Sequence, residues 1–205
     1  GMLINEIQKL AKDEKFKCIY GVPNRNSHHA FVSRGFSEIG KLKIYGKPFK
    51  ISKFFGNNSI LKPLDFLNWR YKQHPTRQYE TFSFYEENKL LSYIILRKTI
   101  FKKKQVVVIV DFVINPEITE YKKITKFVFS ALNNYQDDCI GAIVTTNPEF
   151  KEYQVLKNIG FMNIPKIFKP EPFYFITSIL ESINGENKFQ DFNKWFFCFG
   201  DYDVF

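Results

Sequence analysis

Asp111 interrupts the run VVVIVDFVI, and a carboxylate inside an apolar strand must be paired or hydrogen-bonded, because a lone charge leaves water only at high cost. It could take a proton from an amine as a general base, or form a structural salt bridge with Arg97 or Lys98. Asp201 and Asp203 flank Tyr202 in the closing string NKWFFCFGDYDVF. If that string is a strand, both carboxylates point to one face. There they could bind an amine or serve as general base; the alternative is a solvated pair, or one matched with nearby lysines. His28 and His29 are adjacent, and neighbours on a helix diverge by about 100°, so they do not share a metal. With His74 the one further histidine and no clustered acidic ligands, no metal site is expected. There is no Gly-x-Ser-x-Gly, no Walker loop and no dinucleotide-binding glycine string, so hydrolase, nucleotidase and dehydrogenase readings have no local support.

The bulk properties set the class. The 205 residues are 44% hydrophobic and 18% aromatic, with 24 Phe, which suits a packed core and argues against disorder. No apolar run approaches the roughly 18 residues that span a bilayer, so no membrane partner is expected. The N-terminus lacks the layout of a secretory signal, and Gly1 before Met2 reads as a remnant of tag removal. Cys18, Cys139 and Cys198 are odd in number and have no CxxC spacing, which points to free thiols in a reducing compartment and to a cytoplasmic protein. The net charge of +9 favours any polyanion without choosing one. Lys102–Lys104 lies between two strand-like runs and reads as a solvated hairpin turn.

The elements that would position Asp111 follow from period and punctuation. PLDFLNWRYKQHP reads as an amphipathic helix, YETFSFYEE and LLSYIILRKTI as a hairpin around Glu87 to Lys89, and QVVVIVDFVINP as a long apolar strand. Then come a helical ITKFVFSALNNYQDD, a strand CIGAIVTTNP and a helix EFKEYQVLKNIGF closed by Gly160. A weak internal repeat accompanies this order. LINEIQKLAKDEKFKCIYGVPN has Leu3, Ile4, Ile7 and Leu10 at helical spacing before a strand from Cys18. It runs into NRNSHHAFVSRGF, where Asn24 or Asn26 can cap a helix ending near Gly35.

This order resembles the GNAT superfamily of acyl-CoA N-acyltransferases. Asp111 on the long strand, Pro116 after it, Asn147 ending the next strand and Gly160-Phe161 after the following helix carry the match, with FLNWRYKQHP and FGDYDVF similar to tandem-domain members. The fold class is therefore α/β with a mixed sheet, a GNAT-like domain over residues 62–205, a linker over 50–61, and a partial second copy over 1–49. The resemblance implies acetyl-CoA or another acyl-CoA in a cleft beside the long strand, the pantetheine bonded to the backbone of Phe112, Val113 and Ile114, with Asn147 and Lys122 at the cofactor. It also implies a Q/R-x-x-G-x-G/A loop for the pyrophosphate. Here those positions fall on Thr119, Lys122 and Ile124, so the loop departs from the pattern. A Tyr four residues before the closing Gly often protonates the thiolate in this superfamily. The equivalent residues here are Phe31 and Leu156, leaving Tyr153, one turn earlier, as the candidate acid. Trp69, Arg70, Tyr71 and His74, on the helix that borders the cleft in this fold, could hold the acceptor; the alternative packs Trp69 in the core with Arg70 and His74 facing water.

The function this implies is that of a GNAT-related, acyl-CoA-dependent N-acyltransferase with a degenerate cofactor loop, active or inactive, whose acceptor would be a small-molecule amine and whose general base would be Asp111 or Asp203. The alternative is a non-enzymatic binder of nucleic acid or another polyanion. It ranks second because lysine and aromatic residues interleave only in FKKK and YKK. The strand CIYGV of the N-terminal fragment needs a sheet edge, found either in its own chain or in the same segment of a second copy, which would give a symmetric homodimer.

Overall fold

The structure, a computed structural model, describes residues 2–48, 67–165, 173–180 and 188–201. Helix α1 (Met2–Asp13) follows the spacing of Leu3, Ile7 and Leu10 and leads to strand β1 (Cys18–Gly21). Asn24 starts α2 (Arg25–Val32) by accepting the backbone N–H groups of Asn26 and Ser27, each at 3.0 Å, which settles the cap on Asn24. Gly35, at φ 85°, takes the left-handed conformation that closes the helix. Strands β2 (Ser37–Lys41) and β3 (Ile44–Pro48) follow.

Of the helix expected over PLDFLNWRYKQHP, the described part is a single π-helical turn at Asn68–Lys72; the residues before Leu67 lie outside the described ones. Strands β4 (Glu80–Glu86) and β5 (Lys89–Phe101) form the expected hairpin, turning at Glu87 and Asn88, which both have positive φ. Strand β6 (Lys104–Ile114) returns through Lys102 and Lys103, again at positive φ, so FKKK is a hairpin turn. Then come α3 (Lys122–Asn133), β7 (Gly141–Thr145), α4 (Lys151–Asn158), β8 (Met162–Asn163) and β9 (Tyr174–Ile179).

The closing aromatic string is not the expected strand. Phe192–Lys194 and Phe199–Asp201 are single 3-10 turns, and the Asp201 carboxylate accepts the Cys198 N–H at 2.6 Å, which closes a turn in place of a ladder bond. The strand alternation that would align Asp201 with Asp203 therefore does not operate at Asp201. Asp203 itself lies outside the described residues.

The chain divides into two compact units. The first combines Gly1–Leu42 with Lys169–Trp195. Its antiparallel sheet has the order β1-β9-β2, with Cys18 opposite Ile179 and Lys41 opposite Tyr174. Strand β1 thus finds its neighbour within its own chain. Phe175 on β9 anchors an aromatic cluster with Tyr20, Phe192 and Trp195.

The second unit combines Lys43–Phe168 with Phe196–Phe205 around a six-stranded sheet of order β4-β5-β6-β7-β3-β8. Among the described residues β6 and β7 are parallel and the other pairs antiparallel. One face of this sheet, presenting Ile94, Leu96, Val107, Ile109 and Val144, packs against Ile124, Val128 and Leu132 of α3 and Val155 and Leu156 of α4 to form the core. No helix among the described residues is long and apolar enough to cross a membrane.

Candidate functional site

The opening in this sheet originates in a bulge. Ile95 of β5 faces Asp111 while Leu96 faces Ile109, so Val110 is an extra residue on β6. A bulge bends its strand and increases its twist. Strands β6 and β7 pair only from Val107–Ala142 to Ile109–Val144, and β6 continues to Ile114 beyond the last pair.

Residues of the same unit lie beside that end of β6. Phe196–Gly200 are buried, and the Phe196 ring lies 5.3 Å from Phe150, just past β7. Gly200 sits against β6: a Cβ there would come within 3.1 Å of the Val110 carbonyl oxygen and overlap the Tyr71 hydroxyl. The Arg70 Nε–H donates to the Gly200 carbonyl at 3.3 Å, and the Tyr71 hydroxyl donates to Asp111 Oδ2 at 3.0 Å. Asp111 is fully buried. Burial, reinforced by the Asp111 carboxylate, pushes the Tyr71 phenol far above its ordinary pKa, so it stays a donor.

The end of β6 is engaged as well. The Ile114 N–H donates to Glu152 Oε1 at 3.0 Å, and Glu152, in the first turn of α4, is buried. Ser92 Oγ donates to the Val113 carbonyl at 2.9 Å, and Lys151 Nζ donates to the Asn115 carbonyl at 2.9 Å. Burial holds the Lys151 ammonium below its usual pKa, against the opposing pull of Glu152.

The residues singled out in the sequence are distributed unevenly around this region. Asp111, Arg70 and Asp201 come together with Tyr71 at the 196–201 segment. Asp111 takes its hydrogen bond from Tyr71; of its expected salt-bridge partners, Lys98 pairs with Asp138 and Arg97 stands 6.0 Å over the Tyr79 ring. Trp69 is 64% exposed, contrary to a packed Trp, because the turn at Asn68–Lys72 directs Tyr71 into the core. His74 Nδ1 accepts the N–H groups of Thr76 and Arg77 and so serves its own turn. Buried Asn147 accepts the Glu149 N–H with its side chain at 3.1 Å and the Phe150 N–H with its carbonyl, a turn that introduces α4. Tyr153 packs its ring on Tyr45 at 4.7 Å, and burial raises its pKa. Glu152, Lys151 and Gly200 were not singled out. Their only signal in sequence is a charged pair opening a helix and a glycine in an aromatic string.

Strand β4, the loop after β6 and the start of α3 enclose a cavity of about 180 Å³, lined among others by Glu86, Glu117, Thr119, Glu120, Lys123 and Ile124. Lys123 pairs with Glu86, and Lys89 with Glu117. Ile124 belongs to the core, Lys122 is exposed, and Tyr121 at the helix start contributes no side-chain cap. Of the three carboxylates in this lining, Glu86 and Glu117 are thereby matched with ammonium groups. Among the described residues no group of three or more His, Cys, Asp or Glu could hold a metal.

No protein-family model matches the sequence, and no curated protein matches it. The structure superimposes on the crystal structure of a GCN5-related N-acetyltransferase from Anabaena variabilis with a TM-score of 0.56 at 10% sequence identity, over 88% of this chain and 50% of that one. The chain has a GCN5-related N-acetyltransferase fold. It spans half the length of that neighbour. The resemblance implies a cleft beside the long strand, and there β6 runs on past its last pair with β7. The acyl-CoA that the resemblance implies does not fit these residues: the Ile114 N–H, to which the pantetheine would bond, is held by a buried carboxylate.

Proposed function

We propose that this chain is a GNAT-related protein that does not transfer acyl groups from coenzyme A, its cofactor cleft being closed by its own side chains. The bond from the Ile114 N–H to Glu152 carries the reading. A pantetheine carbonyl bonding there would displace a charged acceptor and leave a buried carboxylate short of a donor, a loss of about 1.5–3 kcal/mol for a bond to an ionised group. Without a donor, Asp111 and Tyr153 have no acyl transfer to assist. The test is isothermal calorimetry of the 205-residue chain with acetyl-CoA and with a long-chain acyl-CoA. No saturable heat is expected up to about 1 mM ligand, a limit near −4 kcal/mol. Saturable binding, or acetylation of any amine in a mixture of candidate acceptors, would overturn the proposal.

Polyanion binding has less support, because Lys41, Lys89, Lys98, Lys123 and Lys194 are each matched with a carboxylate.

A further inference from the structure

Two runs of described elements follow the same order of helix, strand, helix, strand and strand: first α1, β1, α2, β2 and β3, then α3, β7, α4, β8 and β9. In each, a glycine at positive φ, Gly35 or Gly160, follows the second helix. Each run sends its last strand into the other: β9 lies between β1 and β2, and β3 lies between β7 and β8. The exchange is unequal in what it leaves behind. All six strands of the second unit, with α3 and α4, lie in the uninterrupted run Lys43–Phe168. The first unit is assembled from two pieces, Gly1–Leu42 and Lys169–Trp195, with that whole run between them. Its two pieces hold each other. Among the described residues β1 and β2 each pair with β9, the Gln8 amide donates to Ser178 Oγ, the Leu180 N–H donates to the Lys17 carbonyl, and the Tyr20 ring packs on Phe175 and Trp195.

We propose that the first unit is a conditional fold, which holds together only while the second unit is folded and can open while the second stays intact. While the second unit is folded, the run that separates the two pieces is compact and the pieces meet at little entropic cost. Once unfolded, that run is a loop of roughly 125 residues, and closing it lowers the folding constant of the first unit about a thousandfold. Such a factor is comparable with the whole folding constant of a unit of roughly 70 residues, whose core is small. The reverse dependence is weak, because opening the first unit removes no strand from the six-stranded sheet.

Hydrogen exchange of the 205-residue chain, read by mass spectrometry, tests this with two double variants. Phe175→Asp/Ile176→Asp puts charges at buried positions of β9 and should abolish protection in β1 and β9 while β5 and β6 keep theirs. Ile109→Asp/Leu132→Asp puts charges in the core of the second unit. It should abolish protection in β5 and β6 and, with it, lower that of β1 and β9 about a thousandfold. A milder variant, Trp69→Phe at an exposed position, leaves Trp195 of the first unit as the one tryptophan. The urea midpoint of its fluorescence should lie at or below the urea concentration at which β6 loses protection. Protection that survives in β1 and β9 after β5 and β6 have lost theirs overturns the proposal, as does a Trp195 midpoint above that of β6. Loss of protection in β5 and β6 on Phe175→Asp/Ile176→Asp overturns it too, by making the dependence mutual.

Discussion

The carboxylate of Glu152 and the backbone N–H of Ile114 are 3.0 Å apart across the gap between α4 and the end of β6, and the bond is buried. It ties the first turn of a helix to a strand residue that has run past its last partner on β7. In water-excluded surroundings such a bond is strong while both partners are present and expensive to break from one side.

Replacing Glu152 by Leu should therefore lower stability by about 2 kcal/mol, read as a lower urea midpoint with unchanged slope. Glu152→Gln keeps an acceptor oxygen and should recover at least half of that loss. Equal losses for the two variants would mean that the hydrogen bond is not what the residue contributes.

Tyr71→Phe removes one hydrogen-bond donor from buried Asp111 and should cost about 2 kcal/mol, in the range for a bond to a carboxylate. In an Asp111→Asn background the same change should cost clearly less, with a coupling of about 1 kcal/mol in a double-mutant cycle. Additive losses would place the contribution of Tyr71 in its ring packing alone.

Gly200→Ala should be among the most damaging single-methyl changes, at about 2 kcal/mol. The added Cβ has the Tyr71 hydroxyl on one side and the Val110 carbonyl at 3.1 Å on the other, and the backbone of β6 cannot yield easily. Hydrogen exchange should show residues 196–201 losing protection before the sheet does. If exchange there is unchanged while the melting temperature falls, the segment is not what the methyl displaces.

Lys47 is buried on β3 with its ammonium 4.6 Å over the Phe129 ring, and burial lowers its pKa from 10.5. A depressed base destabilises the folded chain while the amine is charged in both states, and the penalty fades as pH rises through the folded pKa toward 10.5. Lys47→Met should raise stability by about 1 kcal/mol at neutral pH, and its advantage should shrink steadily on the alkaline side. An advantage that does not change with pH would assign the gain to packing alone.

Much of the local structure was legible because it is written in short-range chemistry. Asn24 as a helix cap, Gly35 and Gly160 at helix ends, the turns at Glu87–Asn88 and Lys102–Lys103, and the apolar strand through Asp111 all depend on residues within a few positions of one another. The order of those elements was enough to suggest the GNAT-like fold. The candidate site was less legible. Asp111 stood out as a charge in an apolar run, but its partner Tyr71 lies forty positions away, and Glu152 reaches Ile114 from the far side of α3 and β7. Strand pairing shows the same division. Nothing near Ile44 says that β3 will lie between β7 and β8, or near Tyr174 that β9 will lie between β1 and β2. A strand's alternation specifies which face it buries, whereas its neighbour depends on which edge the rest of the chain leaves open and how long a loop must close to reach it. By itself, then, the sequence determined the strands and helices whose period and caps are local, but not the turns at Asn68–Lys72 and Phe199–Asp201, which long-range packing shapes. The tertiary structure decided which edges met, and with them which groups occupy the end of β6.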